Sequence, residues 1–247
     1  MVNFVLVAGV WLGSWAWDEV APELRAAGHG AHALTLSGLA ERQEVPAGQQ
    51  RHVRDIVEEI ERLDLRDVVL VGHSYAGIPV GQAAGRIGDR LAGVVFVDAN
   101  LPVDGESFLD GWPAGRAMVE ASIAGNDGFW APRTAPDYAG QDLGAEQVAR
   151  IVSRSTPHPG ATLTEPAVLT RSLDELPATY IKCLLDGPEP SADVAELLTS
   201  ENWRLVRMET GHWPMLSRPR ELSGILLDAA ARSSGPGALL AQSLSDK

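Results

Sequence analysis

The chain has 247 residues and a formal net charge of −13, long enough for one substantial core and of the wrong sign to grip a phosphate backbone, so nucleic acid is not an expected partner. Its single cysteine, Cys183, excludes an internal disulfide and a cysteine metal cluster. The apolar start MVNFVLVAGVW has no basic leader and is too short to cross a bilayer, so it reads as a first strand, in a cytoplasmic protein with no membrane partner.

Phe4-Val5-Leu6-Val7 is a continuous β-prone run, as in a parallel strand buried on both faces. Within residues 15–27, Trp17, Val20, Leu24 and Ala27 fall at helical spacing, and Gly28 stands where a glycine would end the helix. Residues 31–36 read as a second strand. Residues 51–63 form an amphipathic helix, with Val53, Ile56, Val57, Ile60 and Leu63 on one stripe and Arg54, Glu58, Glu59 and Arg62 outside it. A strand over 68–71, a helix over 78–86 and a strand over 94–97 continue the alternation, which calls for an α/β fold with helices around a mainly parallel sheet.

The alternation stops after Asn100. Residues 101–178 are rich in Pro, Gly, Asp and Ser and scatter Phe108, Trp112, Phe129 and Trp130 without a clean period. Those aromatics set the segment apart from a disordered linker, and it is expected to form an inserted cap of short helices and turns. The core, residues 1–100 and 179–232, resumes with a strand over 179–185, a helix over 192–198, a strand over 203–208 and a last helix near Pro219, a residue suited to a first helical turn. The tail, 233–247, is expected to be mobile. No internal repeat is present.

Chemistry centres on DVVLVGHSYAGIP. A serine between a strand and a helix, with small residues two places either side, fits the sharp turn that presents a nucleophile; Gly72 and Ala76 meet that need around Ser74. A base should follow on a loop after a late strand. His29, His32 and His52 precede Ser74 and read as surface or structural residues. His73 should point away from Ser74 across the turn, and His158, in TPHPG, reads as solvent-exposed, with substrate contact as the alternative. His212, in ETGHWPM, has the right place. The acid should lie between them at a strand end: Asp186, closing YIKCLLD, is the first choice, Asp98, closing VVFVD, its rival, and Glu189 a third. The oxyanion amides are expected from Tyr75 and from Val10 in AGVWLGSW.

The stretches FVLVAGVWLGSWAWDEVAPELRAAGH, TLSGLAER, LRDVVLVGHSYAG, VVFVDANLP, YIKCLLD and TGHWPMLSRPREL together resemble the α/β-hydrolase superfamily. More narrowly they resemble small bacterial carboxylesterases, pyrethroid hydrolases among them, and the related plant methylesterases and hydroxynitrile lyases. The resemblance covers nearly the whole chain, more weakly in the cap. It implies Ser74 as nucleophile, His212 as base, Asp186 as acid and Val10 and Tyr75 as oxyanion donors. Two letters depart from that pattern: Ala8 stands where the relatives have a commonly structural histidine, and Ala76 where the elbow usually has glycine. The lyase relatives carry a lysine directly after the catalytic histidine; here Trp213 takes that place, against cyanohydrin cleavage.

The expected function is that of a serine hydrolase cleaving a carboxylic ester or lactone of an apolar small molecule through an acyl-serine, without metal or organic cofactor, as a monomer or homodimer. Trp11, Trp112, Trp130 and Trp213 are the favoured pocket walls, with Trp15, Phe108 and Phe129 also available. The same residues would serve acyl transfer, lactone formation or C–C cleavage next to a carbonyl, and a non-catalytic ligand-binding protein is the reading from another class. Epoxide hydrolysis and dehalogenation need a carboxylate where Ser74 stands.

Overall fold

Runs of β-branched residues too short for helices alternate with amphipathic segments, and the order of elements follows from that alternation. The computed structural model describes residues 1–233. β1 (Asn3–Val7) leads through a 3₁₀ turn to α1 (Val20–Ala26), then β2 (Gly30–Leu34), α2 (Gln49–Arg62), β3 (Val68–His73), α3 (Gly77–Ala84) and β4 (Leu91–Val97). The segment that follows β4, expected from the sequence as an insertion, carries α4 (Pro113–Gly125), β5 (Phe129–Trp130), α5 (Ala145–Arg154), β6 (His158–Pro159) and α6 (Ala161–Thr164). β7 (Ala178–Cys183), α7 (Ala192–Leu197), β8 (Trp203–Met208), α8 (Pro214–Ser217) and α9 (Pro219–Ser233) complete the described chain. The tail reading for 233–247 lies, Ser233 aside, outside the described residues.

The strands form one sheet in the order β2-β1-β3-β4-β7-β8, each neighbour parallel, while β5 and β6 make a separate antiparallel pair. The two-residue period of a strand divides the core into two layers. Phe4, Leu6, Val69, Val71, Val95 and Val97 face Trp17, Val20, Leu24, Leu222 and Leu226 of the α1/α9 side. Val5, Val7, Val68, Leu70, Val94 and Phe96 face Ile56, Ile60 and Val80 of the α2/α3 side. Burying each such side chain stabilises the fold by about 1.5–3 kcal/mol, so the register that puts both faces inside is strongly fixed. No helix among the described residues is long and apolar enough to cross a membrane.

The single helix expected over 15–27 is in fact two pieces. Ser14–Trp17 is a 3₁₀ turn, and α1 starts afresh at Val20. Pro22 explains the break, because proline lacks an N–H and is tolerated in a first turn but not inside a continuous helix. The loops after β1, β3, β4, β7 and β8 all open at the carboxyl edge of the sheet, where parallel α/β folds hold their ligands.

Candidate active site

β3 passes without a loop into a 3₁₀ turn at Ser74–Ala76 and on into α3. The tightness of that turn falls on Ser74, whose φ of +55° lies in the left-handed region that a side chain resists. A Cβ on Gly72 would come 2.9 Å from the carbonyl oxygen of Ala76, so only glycine fits there. Ala76 itself is fully buried among the α2/α3-side apolar residues, where its methyl finds contacts. The strained hydroxyl is thereby held at the sheet's carboxyl edge.

Beside it, the loop after β1 is pinned at two points. Gly9 N–H donates to His73 Nδ1 at 3.3 Å, and Trp11 N–H donates to His158 Nδ1 at 3.3 Å. Between them Val10 N–H has no acceptor among the described residues, and Val10 lines the same cavity as Ser74. Tyr75 N–H lies in the first turn of a helix, where backbone donors have no intrahelical partner. These are the two amides expected as an oxyanion site.

His73, behind the turn, donates through Nε2 to the carbonyl oxygen of His212 at 2.7 Å, so one neutral ring ties three loops together. Burial, with the nearby His212, drives its pKa down to about 3. His158 is a correction to the sequence reading: it is completely buried, not exposed. Its Nε2 meets Thr162 Oγ1 at 2.8 Å, and its ring packs against Tyr75 and His52. His52 is buried too, bonded to the Ser37 carbonyl at 2.8 Å and to Tyr75 Oη at 3.0 Å, and burial lowers its pKa to about 4. Nothing in TPHPG signals this role, because the partner, Trp11, lies 147 residues away.

Ser74 Oγ lies 2.9 Å from His212 Nε2. On the other side of the ring, Nδ1 is hydrogen-bonded to Asp98 Oδ2 at 2.7 Å and makes an ion-pair contact with Asp186 Oδ2 at 3.2 Å. Both candidate acids therefore reach the same nitrogen, and Asp98 is the nearer; Glu189 pairs instead with Arg207. Burial alone would lower the pKa of His212, but hydrogen bonds to Asp186 and Asp98 override it and raise it to about 9. Asp98 would be pushed up by its own burial; His212 and the ammonium of Lys182, 2.7 Å away, hold it down instead. Asp186 is held well below the usual carboxylate range by His212 and by Gln141, which donates to its Oδ1 at 2.8 Å. Asp98, Asp186 and His212 offer three ligand atoms within 4.8 Å of one another, but Lys182 and the ring N–H already supply positive charge to that cluster.

A cavity of about 340 Å³ opens over Ser74, lined by Trp11, Trp112, Trp130, Trp213 and Phe108, with Arg133 and Asn100. Trp15 and Phe129 lie outside it. A larger space of about 610 Å³ adjoins on the Asp98–Lys182 side but is not lined by Ser74, so the smaller one is the candidate chamber over the serine. Arg133 sits 5.8 Å over the Trp11 ring and 6.0 Å over that of Trp213.

A profile of the alpha/beta hydrolase family matches residues 4–225. The chain belongs to that family. This alpha/beta hydrolase is 32% identical over 239 residues to the carbendazim hydrolyzing esterase of Nocardioides sp. (strain SG-4G), covering 90% of this chain and 97% of that one. An extracellular alpha/beta-hydrolase from a Paenibacillus species, described as sharing homology with tobacco salicylic acid binding protein 2, superposes with a TM-score of 0.81 at 23% identity, over 93% of this chain and 99% of that one. The pyrethroid hydrolase PytH superposes with a TM-score of 0.66 at 18% identity, over 94% and 98%. At these identities the two superpositions bear on the fold alone.

Proposed function

We propose that the protein is a serine hydrolase that cleaves a carboxylic ester of an apolar small molecule through an acyl-serine. The observation that carries this reading is the line from Ser74 Oγ to His212 Nε2, 2.9 Å, with carboxylate oxygens on Nδ1 of the same ring. Ser74 Oγ attacks the ester carbonyl carbon while His212 Nε2 takes its proton, and the oxygen of the tetrahedral intermediate takes up charge between Val10 N–H and Tyr75 N–H. The carbon–oxygen bond to the alcohol then breaks, and the alcohol leaves with the proton from His212. Water enters, gives a proton to His212 and its oxygen to the acyl carbon, and the acid departs as Ser74 recovers its hydrogen. Ester and water thus become acid and alcohol with no outside oxidant or reductant.

Aromatic walls and a chamber of about 340 Å³ favour a small acyl or alcohol part with apolar surface. The esterase name of the Nocardioides relative supports the bond type. Turnover of short-chain p-nitrophenyl esters by wild type and Ser74→Ala is the direct test. Loss of about 10³-fold or more in kcat is expected on removing the nucleophile; an alanine variant that keeps its rate would overturn the assignment.

A further inference from the structure

The two carboxylates on His212 are built differently. Asp98 follows β4 with a φ of +42°, is almost fully buried, and has Oδ1 bound by Lys182 Nζ at 2.7 Å and Cys183 N–H at 3.2 Å. Lys182, on β7, is buried as well and also donates to the Cys183 carbonyl at 2.9 Å. Every atom that fixes Asp98 therefore belongs to the sheet and its edge. Asp186, past the end of β7, is half-exposed, and its second oxygen is held by Gln141 of the insertion. Gln141 Oε1 also accepts the backbone N–H of His212 at 2.7 Å.

Charge counting gives this arrangement a purpose. Lys182 carries +1 next to the ring that must become an imidazolium, and Asp98 and Asp186 carry −1 each. With neutral His212 the cluster sums to −1; with His212 protonated it sums to zero. Were Asp186 the sole anion, protonating His212 beside buried Lys182 would leave a net positive charge in a low-dielectric site, where an uncompensated charge is costly.

We propose that His212 is served by both carboxylates at once: Asp98, clamped by Lys182, is a permanent positioning residue on Nδ1, and Asp186 is a second one whose place depends on Gln141 of the insertion. This rests on Ser74 and His212 being nucleophile and base. The charged and titratable groups facing His212 are Asp98 after β4, Lys182 on β7, Asp186 beyond it, His73 on β3 and Arg133 of the insertion, which shares its cavity.

The test compares pH–rate profiles of kcat and kcat/KM on a p-nitrophenyl ester for Asp98→Asn, Asp186→Asn, the two together, and Asp98→Asn with Lys182→Met. The last variant removes the buried pair whole and so keeps the fold free of a lone ammonium. Each single carboxylate variant should lose about 10- to 100-fold in kcat and move its ascending limb to lower pH, while the double variant should approach the about 10⁴-fold loss typical of a base without its acid. The pair-removed variant restores the charge sum of zero on protonation, so it should be faster than Asp98→Asn, yet remain slower than wild type because Nδ1 has lost one of its two carboxylates. Wild-type rate and limb in the pair-removed variant would make Asp98 structural only and overturn the proposal, as would an Asp98→Asn or Asp186→Asn variant as slow as the double. Fluorophosphonate labelling of Ser74 in the same variants separates this outcome from failure of the nucleophile assignment, since labelling absent even from wild type would sink that reading alone.

Discussion

On one flank of Ser74 the ring of His212 stands against Asp98 and Asp186; on the other, His158 and His52 are buried with Tyr75 and Thr162 and touch no carboxylate among the described residues. The same side chain is thus put to opposite uses by its surroundings. At His212, the proposed base, anions stabilise the imidazolium and raise its pKa. Where a backbone N–H must be accepted, burial keeps the ring neutral, with a lone pair left on Nδ1 for Trp11. His73 joins the two flanks, accepting from Gly9 and donating to the His212 loop.

The contrast breaks most completely at Gly9, where the flanks meet. A Cβ there would stand 2.7 Å from Ser74 Cβ and 3.1 Å from His73 Nδ1, so Gly9→Ala must shift the loop, Ser74 or the pin. A loss in kcat of about 10²- to 10³-fold is expected, the cost of removing an oxyanion donor. Stopped-flow or steady-state rates on a p-nitrophenyl ester would check it, and an alanine variant with unaltered kcat would deny that the loop is held this closely.

A milder break is available at His158. Leucine would fill the space but leave Trp11 N–H buried without an acceptor, a cost of about 1–3 kcal/mol. If a share of that appears as a misplaced Val10 amide, His158→Leu loses about tenfold in kcat with little change in KM. Glutamine keeps an acceptor and should restore most of the rate. Equal rates for the two variants would reduce His158 to packing.

Acidity sharpens the comparison without any substitution. In the proposed mechanism attack requires neutral His212, whose folded pKa of about 9 exceeds the ordinary 6.5, so kcat/KM should climb from pH 7 toward pH 9. The sign for stability is the reverse: that raised pKa stabilises fully below pH 6.5 and is lost as pH rises through about 9. His52 and His73, lowered to about 4 and 3, stabilise above pH 6.5 and lose this as pH falls, because the unfolded chain binds protons that the folded one refuses. His158 adds to them. Each of these buried rings costs about 1.4 kcal/mol per pH unit in that range. The melting temperature should therefore drop between pH 6.5 and pH 4.5, and a flat or rising trend there would contradict the neutral network.

Much of this was open to reading in the sequence. The alternation of VVLV-type runs with amphipathic stretches reflects local periods of two and 3.6, so strands and helices were found within a few residues. Ser74 and His212 stand out because a strained turn demands small neighbours and because loops after parallel strands share one edge. Asp98 was legible as a rival acid at a strand end but not as the partner of Lys182, and the surroundings of Lys182 and His158 were not legible at all. Asp98 meets a lysine 84 residues on, and Trp11 a histidine 147 residues on, and no local pattern records such pairings. Pro22 did carry a local signal, the helix break, which the apolar spacing around it concealed.

The most direct measurement is intact-protein and peptide mass spectrometry after brief exposure to a fluorophosphonate or a slowly deacylating p-nitrophenyl ester. One adduct of the reagent's mass, mapped to the peptide holding GHSYAG and absent from Ser74→Ala, is the result expected of an acyl-serine hydrolase. An adduct that persists in the alanine variant, or ester turnover with no adduct at Ser74, would contradict it.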